Sequence, residues 1–126
     1  MSVRGITLDA GALIAIERRK QRALHLLELA RDRLVWLSVP VPVVTEWWRG
    51  RTDVRDKIVD AVVVEPLTLA VAKSAGEALA AIPRATALDA IVMAFAASRG
   101  DAVFTSGLDD LERLRRHFPA VRVLAI

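Results

Sequence analysis

The chain has 126 residues, of which 54% are hydrophobic and 26% are charged, a composition that excludes intrinsic disorder and fits a single domain over residues 1–126. Cysteine is absent from the sequence, which excludes disulfide bonds and thiolate metal sites and favours a cytoplasmic location. No apolar run approaches the roughly 20 residues of a membrane span, no secretory signal is predicted, and a net charge of +3 suits a nucleic-acid or acidic protein partner.

Strand-like and helix-like segments alternate along the chain. Short apolar or β-branched runs predict strands, and apolar residues at helical spacing predict the helices between them. The predicted strands cover residues 6–8, 34–39, 61–64, 101–105 and 121–126. The predicted helices cover residues 13–17, 21–31, 43–49, 53–59, 68–82, 86–98 and 109–117. This alternation predicts an α/β fold, a three-layer α/β/α sandwich with a mainly parallel central sheet.

Acidic residues recur where the predicted strands end. Asp9 follows the first strand, where open α/β sheets place their ligand crevices. Glu46 lies in the helix after the second strand, Asp89 in the first turn of the helix before the fourth, and Asp109 and Asp110 just beyond the fourth. Right-handed crossovers bring such positions to one edge of the sheet, where repelling carboxylates require a cation. Oxygen ligands favour Mg²⁺ or Mn²⁺, and such an ion activates water for hydrolysis of a phosphodiester.

Each acidic residue also has a structural interpretation. Asp9 could cap the helix that follows it, and Thr86 and Asp89 have the spacing of a capping box. Glu46 could be a solvated helix residue that pairs with Arg49 three positions later. The joint placement of these residues favours the functional interpretation, because a carboxylate that opens so apolar a helix as residues 90–96 needs a partner.

Four sequence motifs stand out, and they read L-D-A-G-A-L-I from residue 8, T-E from residue 45, T-A-L-D-A-I-V-M-A-F-A from residue 86 and V-F-T-S from residue 103. Together they resemble the motifs of PIN domains, most closely those of the VapC toxins of bacterial type II toxin–antitoxin systems. The resemblance implies a metal-dependent ribonuclease with a parallel α/β/α sheet, in which Asp9, Glu46 and Asp89 hold Mg²⁺ or Mn²⁺. It also implies an RNA substrate, a homodimer, and a small antitoxin protein as inhibitor.

One position departs from the family pattern. Gly107 stands where members usually carry an acidic residue after the fourth strand. Asp110 or Asp109 could supply the missing carboxylate, and Asp110 matches a second, more variable acidic position of the pattern. Alternatively, Thr105 and Ser106 could hold a metal-bound water and leave three carboxylates to do the work. Ser106 and Asp109 also have capping-box spacing.

Two basic clusters and a pair of tryptophans stand outside this acidic set. The clusters consist of Arg18, Arg19, Lys20 and Arg22, and of Arg113, Arg115 and Arg116. Each could contact RNA phosphates or the acidic tail of an antitoxin, and each could equally be a solvated helix face. Of Trp47 and Trp48, at least one is predicted to pack in the core, and an exposed one could stack on a base or anchor a partner.

The predicted function is an endoribonuclease of the VapC type, with Asp9, Glu46 and Asp89 as metal ligands and Asp110 assisting catalysis. A receiver-like phosphoacceptor domain would need an Asp after the third strand, where Glu65 stands, and a Lys near the end of the last strand, which the chain lacks. A catalytically degenerate PIN domain that only binds RNA or an antitoxin is the remaining alternative, because Gly107 depletes the acidic set.

Overall fold

Five parallel strands form the central sheet of the computed structural model, which describes residues 5–126; the first four residues of the predicted domain lie outside it. The strands are β1 (Gly5–Leu8), β2 (Trp36–Pro40), β3 (Val63–Glu65), β4 (Ala102–Thr105) and β5 (Val123–Ala125). Their order across the sheet is β3-β2-β1-β4-β5, and every pairing is parallel. The predicted α/β/α architecture is confirmed, and the mainly parallel sheet is parallel throughout the described chain.

Helices alternate with the strands as the sequence predicts. They are α1 (Ala10–Glu17), α2 (Gln21–Asp32), α3 (Val41–Trp47), α4 (Asp53–Ala61), α5 (Leu69–Ala81), α6 (Ala87–Arg99) and α7 (Leu108–Leu114). Thr68 and Thr86 begin α5 and α6 because each hydroxyl accepts the backbone N–H three residues later. Gly100 ends α6 in the left-handed conformation, with φ of 72°. In residues 5–126, no helix is both long and apolar enough to cross a membrane.

The core lies around the two central strands. All residues of β1 and β4 are buried, as expected of strands covered by helices on both faces. The apolar face of α6 packs against β1 and buries Val92, Met93 and Phe95. Because β1 and β4 are neighbours, the residues that follow them share one edge of the sheet.

Several element boundaries differ from the predicted ones by one to three residues, and two of these differences have local reasons. Helix α1 begins at Ala10 rather than at residue 13, because Asp9 caps it directly. Strand β2 begins at Trp36 rather than at residue 34, because Leu34 has a φ of 56° and leaves 88% of its surface exposed. Such a left-handed residue ends a turn and cannot continue a strand.

Glu17, at the end of α1, joins three helices. Its Oε1 accepts the indole N–H of Trp47 on α3 at 2.9 Å, and its Oε2 accepts two guanidinium N–H groups of Arg55 on α4, each at 3.1 Å. These bonds, that of Trp47 first, hold the pKa of Glu17 below its usual value. Trp47 is buried, which confirms the predicted core tryptophan, and Trp48 is half-buried against its edge at 5.9 Å. The helix that carries Glu46 is therefore fastened to α1.

We expect Glu17→Ala to lower the free energy of unfolding by about 1–3 kcal/mol, because it leaves the Trp47 indole N–H without its partner. Glu17→Gln keeps an acceptor for Trp47 and loses only the charge opposite Arg55, so its cost is smaller. Urea unfolding followed by tryptophan fluorescence measures both. Since the Glu17 pKa is lowered, the contribution of its charge is present above the ordinary value of 4.5 and is lost as the pH falls below it. Equal urea midpoints for Glu17→Ala and the unmodified protein would show that the hydrogen bonds of Glu17 do not contribute to stability.

Candidate active site

Asp9 lies at the carboxyl edge of the sheet with both carboxylate oxygens already oriented. Oδ1 accepts the backbone N–H of Ala12 at 2.8 Å and so caps α1. Oδ2 accepts the hydroxyl of Thr105, which ends β4, at 2.5 Å. The structural interpretation of Asp9 as a helix cap is confirmed, but it does not exclude the functional one. Each oxygen keeps a further lone pair, so the cap presents a carboxylate in a fixed direction.

Thr105 orients Asp9 and makes no contact with solvent. Its side chain is 0% exposed, and its hydroxyl also accepts the backbone N–H of Gly107 at 2.8 Å. Leu8 pairs with Phe104 in the parallel register, so Asp9 and Thr105 follow side by side. The alternative in which Thr105 holds a water therefore finds no support, because its hydroxyl serves Asp9 and is closed off from solvent.

Burial and neighbouring charge both act on Asp9. Desolvation raises the pKa of Asp9, and the carboxylates of Asp89 and Glu46 raise it further. The hydrogen bonds from Thr105 and Ala12 oppose this rise by favouring the charged form. The three carboxylates predicted to converge, those of Asp9, Glu46 and Asp89, thus lie within electrostatic reach of one another.

Asp89 is half-buried in the first turn of α6. Its backbone N–H donates to Thr86 Oγ1 at 3.2 Å, so Thr86 is the cap of α6 as the spacing predicts. Desolvation raises the pKa of Asp89, and the charges of Asp110 and Glu46 raise it further. A hydrogen bond with the Thr86 side chain and the charge of Arg113 act in the opposite direction.

Glu46 is exposed on α3 and makes no ion pair within residues 5–126. Arg49, its predicted structural partner, instead donates to the backbone carbonyls of Thr45 and Trp48, at 3.2 and 3.1 Å. The structural interpretation of Glu46 as half of an i,i+3 pair is therefore wrong. Its charge acts on Asp9 and Asp89 instead.

The segment around Gly107 places Asp110 beside the acidic residues. A Cβ atom at Gly107 would lie 3.7 Å from Thr105 Oγ1 and 3.8 Å from Asp110 Oδ2, so the Asp110 carboxylate borders the space where a side chain is missing. Asp109 is exposed, and none of its atoms lies within 4 Å of that Cβ position. The predicted Ser106 cap is wrong: Gly107 occupies the cap position of α7 and no side chain caps it. The Ser106 hydroxyl instead approaches Gly11 so closely that a Cβ there would collide with it.

Two contacts at the candidate site were not predicted from the sequence. Arg113, interpreted there as part of a basic cluster, forms an ion pair with Asp110 at 2.7 Å and is a counter-ion of the acidic residues. The i,i+3 spacing of the two residues is the signal that identifies it. The second contact is the bond from Thr105 to Asp9, which depends on strand register and has no local signal.

The oxygen atoms at the carboxyl edge of the sheet are of the type that hard cations prefer as ligands. They are carboxylate oxygens whose pKa values are raised at Asp9 and Asp89, first by burial and then by mutual repulsion, and a divalent ion would favour their charged forms. As the side chains stand, no three His, Asp or Glu residues in the described part of the chain are grouped closely enough to hold one ion. Glu46 is the exposed member of the set and is held by no ion pair among residues 5–126.

No protein-family model and no curated protein matches the sequence, whereas solved structures match the fold closely. DNA-bound VapBC from Salmonella typhimurium superposes with a TM-score of 0.76 at 18% identity, covering 96% of this chain and 97% of that one. VapBC2 from Rickettsia felis, bound to a DNA fragment from its promoter, gives 0.77 at 12% identity, with 96% and 98% covered. PAE2754 from Pyrobaculum aerophilum gives 0.58 at 19% identity, with 98% and 92% covered.

These likenesses define the fold as that of a PIN-like α/β/α domain. The matching structures include two VapBC complexes, so the resemblance that the four motifs indicated is confirmed at the level of the fold. Sequence identity to these structures is below 20%, so a shared fold does not establish a shared activity. The activity has to be inferred from the residues of this chain.

Proposed function

We propose that this chain is a metal-dependent endoribonuclease that hydrolyses RNA phosphodiester bonds and acts as the toxin of a toxin–antitoxin pair. The observation that carries the proposal is the electrostatic coupling of Asp9, Glu46 and Asp89 at the carboxyl edge of the sheet. Structural ion-pair networks join opposite charges, whereas these residues bring together like charges. Like charges gathered at the ligand-binding edge of an α/β sheet support a cation site.

Asp9, Asp89 and Glu46 are the proposed ligands of Mg²⁺ or Mn²⁺. Thr105 and the N–H of Ala12 hold the Asp9 carboxylate in one direction. Asp89 stands in the first turn of α6, which Thr86 caps. Glu46 completes the set from the exposed side of α3. When bound, the ion would supply positive charge that stabilises the charge developing on the phosphate.

Asp110 is the proposed fourth acidic residue, in the place that Gly107 leaves open. Its charge already acts on Asp89, and its carboxylate borders the space beside Gly107. We assign it the role of assisting catalysis, as a base that orients or deprotonates the attacking water. Arg113 pairs with it at 2.7 Å without closing it off from solvent, since the Asp110 side chain is 60% exposed.

A cognate antitoxin protein and a second copy of this chain are the proposed partners. The support is the closeness of the fold to VapBC from two organisms, each matched over at least 96% of this chain. Co-purification with the product of a neighbouring small gene, followed by measurement of the mass in solution, tests both partners.

A catalytically degenerate PIN domain is the second candidate function. It is favoured by Gly107 at a usually acidic position and by the lack of three closely grouped metal-binding residues within residues 5–126. Such a protein would bind RNA or an antitoxin without cleaving, so the two candidates differ in a single assay.

Induction of the chain in a bacterium that lacks the antitoxin is expected to arrest growth, and the purified protein is expected to cleave RNA with Mg²⁺ or Mn²⁺. Asp89→Ala should lower cleavage by at least about a hundredfold, because it removes a ligand. Asp110→Ala should lower it by about tenfold or more, whereas Asp109→Ala, an exposed change on the same helix, should leave it unaltered.

Two outcomes would contradict the proposal at different levels. Absence of cleavage with either metal would remove the nuclease and favour the degenerate domain. Full activity of Asp89→Ala would leave the class standing and show that the site lies elsewhere.

A further inference from the structure

Arg113 acts on two of the acidic residues of the candidate site. Its Nη2 atom donates to Asp110 Oδ1 at 2.7 Å, while Asp110 Oδ2 borders the open space beside Gly107. Burial raises the pKa of Asp89, and the charge of Arg113 lowers it by a smaller amount, so the guanidinium is also within electrostatic reach of Asp89. A direct contact and a charge effect thus place this cation beside the candidate site.

Most of the hydrogen-bonding capacity of Arg113 is unused. A guanidinium carries several N–H donors, and among residues 5–126 the bond from Nη2 to Asp110 is the only hydrogen bond of this side chain. The side chain is 44% exposed, so its other N–H groups are open to a ligand from solvent. Arg115, by contrast, donates to the carbonyl of Val121 at 2.9 Å and to Glu112 at 3.3 Å. Arg113 can therefore keep its bond to Asp110 and still donate to a second anion.

The charge balance of the site favours such a cation. Asp9, Glu46, Asp89 and Asp110 carry four negative charges when all of them are ionised. One divalent ion would cancel half of that charge, so a phosphodiester, which is itself an anion, would still approach a negative site. More negative charge develops on the phosphate oxygens as water attacks. A guanidinium with free N–H groups beside Asp110 would lower both of these electrostatic costs.

We propose that Arg113 is a catalytic residue of this site, which donates to a non-bridging oxygen of the phosphate that is cut while it stays bonded to Asp110. The N–H groups of a guanidinium match phosphate oxygens in geometry, and the bond strengthens as charge develops in the transition state. The same contact would hold the phosphate next to Asp110, the proposed base. The inference rests on the proposed function, because it names the residue of that site that receives the substrate phosphate.

Single-turnover cleavage of a labelled single-stranded RNA by the full-length protein, with Mg²⁺ or Mn²⁺, tests this role. Arg113→Ala should lower the maximal rate constant by about a hundredfold and raise the half-saturating protein concentration by only about threefold, because the contact is strongest in the transition state. Arg113→Lys keeps the charge and should recover about tenfold of the loss. An exposed ion pair contributes little to stability, so the melting temperature of Arg113→Ala should stay close to that of the unmodified protein.

Arg116→Ala is the matched control, because Arg116 is an exposed arginine that forms no ion pair within the described chain. A double variant separates contact with the phosphate from the positioning of Asp110. In a protein that already carries Asp110→Ala, Arg113→Ala should lower the rate by about tenfold or more again. Equal rates for Asp110→Ala and the double variant would overturn the proposal and leave Arg113 as a positioning residue for Asp110.

The failure of this proposal is distinct from the failure of the proposed function. Equal rates for Arg113→Ala and Arg116→Ala would overturn the role of Arg113, while cleavage by the unmodified protein still upheld the nuclease. Absence of cleavage by the unmodified protein with either metal would remove the nuclease, and the catalytic role of Arg113 with it.

Discussion

Asp9→Asn is expected to abolish RNA cleavage, by about a thousandfold or more, and to leave the fold intact. Asn keeps the size of the side chain and an oxygen that can accept the N–H of Ala12, so the cap of α1 survives. The negative charge is lost, and with it the proposed ligand that Thr105 and Ala12 hold in one direction. Single-turnover cleavage with Mg²⁺ measures the loss, and circular dichroism checks the fold.

Stability separates this result from simple unfolding. Burial raises the pKa of Asp9, so the folded state disfavours its charged form, and at neutral pH that charge lowers the stability of the metal-free protein. Asp9→Asn should therefore unfold at an equal or higher temperature in EDTA. Asp109→Asn, at an exposed position, is the control for activity. An Asp9→Asn protein that still cuts RNA would contradict the assignment of Asp9.

The fold could be predicted because its signals are local. The run of Ile6, Thr7 and Leu8 followed at once by Asp9 indicates a buried strand and a possible helix cap, and both are confirmed, although the helix begins three residues earlier than predicted. The start of β2 was missed because it depends on a left-handed turn at Leu34, a conformation that a Leu residue gives no reason to expect.

The candidate site was only partly predictable, since its contacts cross the sheet. Strand order and parallel direction are enough to bring Asp9 near the other acidic residues, whose charges do act on it. The bond from Thr105 to Asp9 requires the exact register of β1 and β4, which no pattern along either strand specifies. The position of Asp110 beside Gly107 depends likewise on how α7 leaves β4, and an uncapped helix start gives no sequence signal.

Divalent cations and protons are expected to compete for the same carboxylates, and binding of either should stabilise the folded protein. In EDTA, the raised pKa values of Asp9 and Asp89 mean that the folded state takes up protons before the unfolded state does. The contribution of these two groups to stability is therefore complete below the ordinary value of 3.8, and it is lost as the pH rises through the raised pKa values. In this window the melting temperature of Asp9→Asn should depend less on pH than that of the unmodified protein, which isolates the contribution of Asp9 from those of other groups.

At neutral pH, Mg²⁺ or Mn²⁺ should restore the stability that the ionised carboxylates cost. A cation at about a hundred times its Kd would add about 2.7 kcal/mol, because it binds the folded state alone. Thermal unfolding with and without the ion measures the gain, which should shrink as the pH falls and protons compete for Asp9 and Asp89. Asp9→Asn and Asp89→Ala should gain little, whereas Asp109→Asn should gain as much as the unmodified protein. An equal gain in all four proteins would place the ion elsewhere, since only a site built from Asp9 and Asp89 makes the response depend on both.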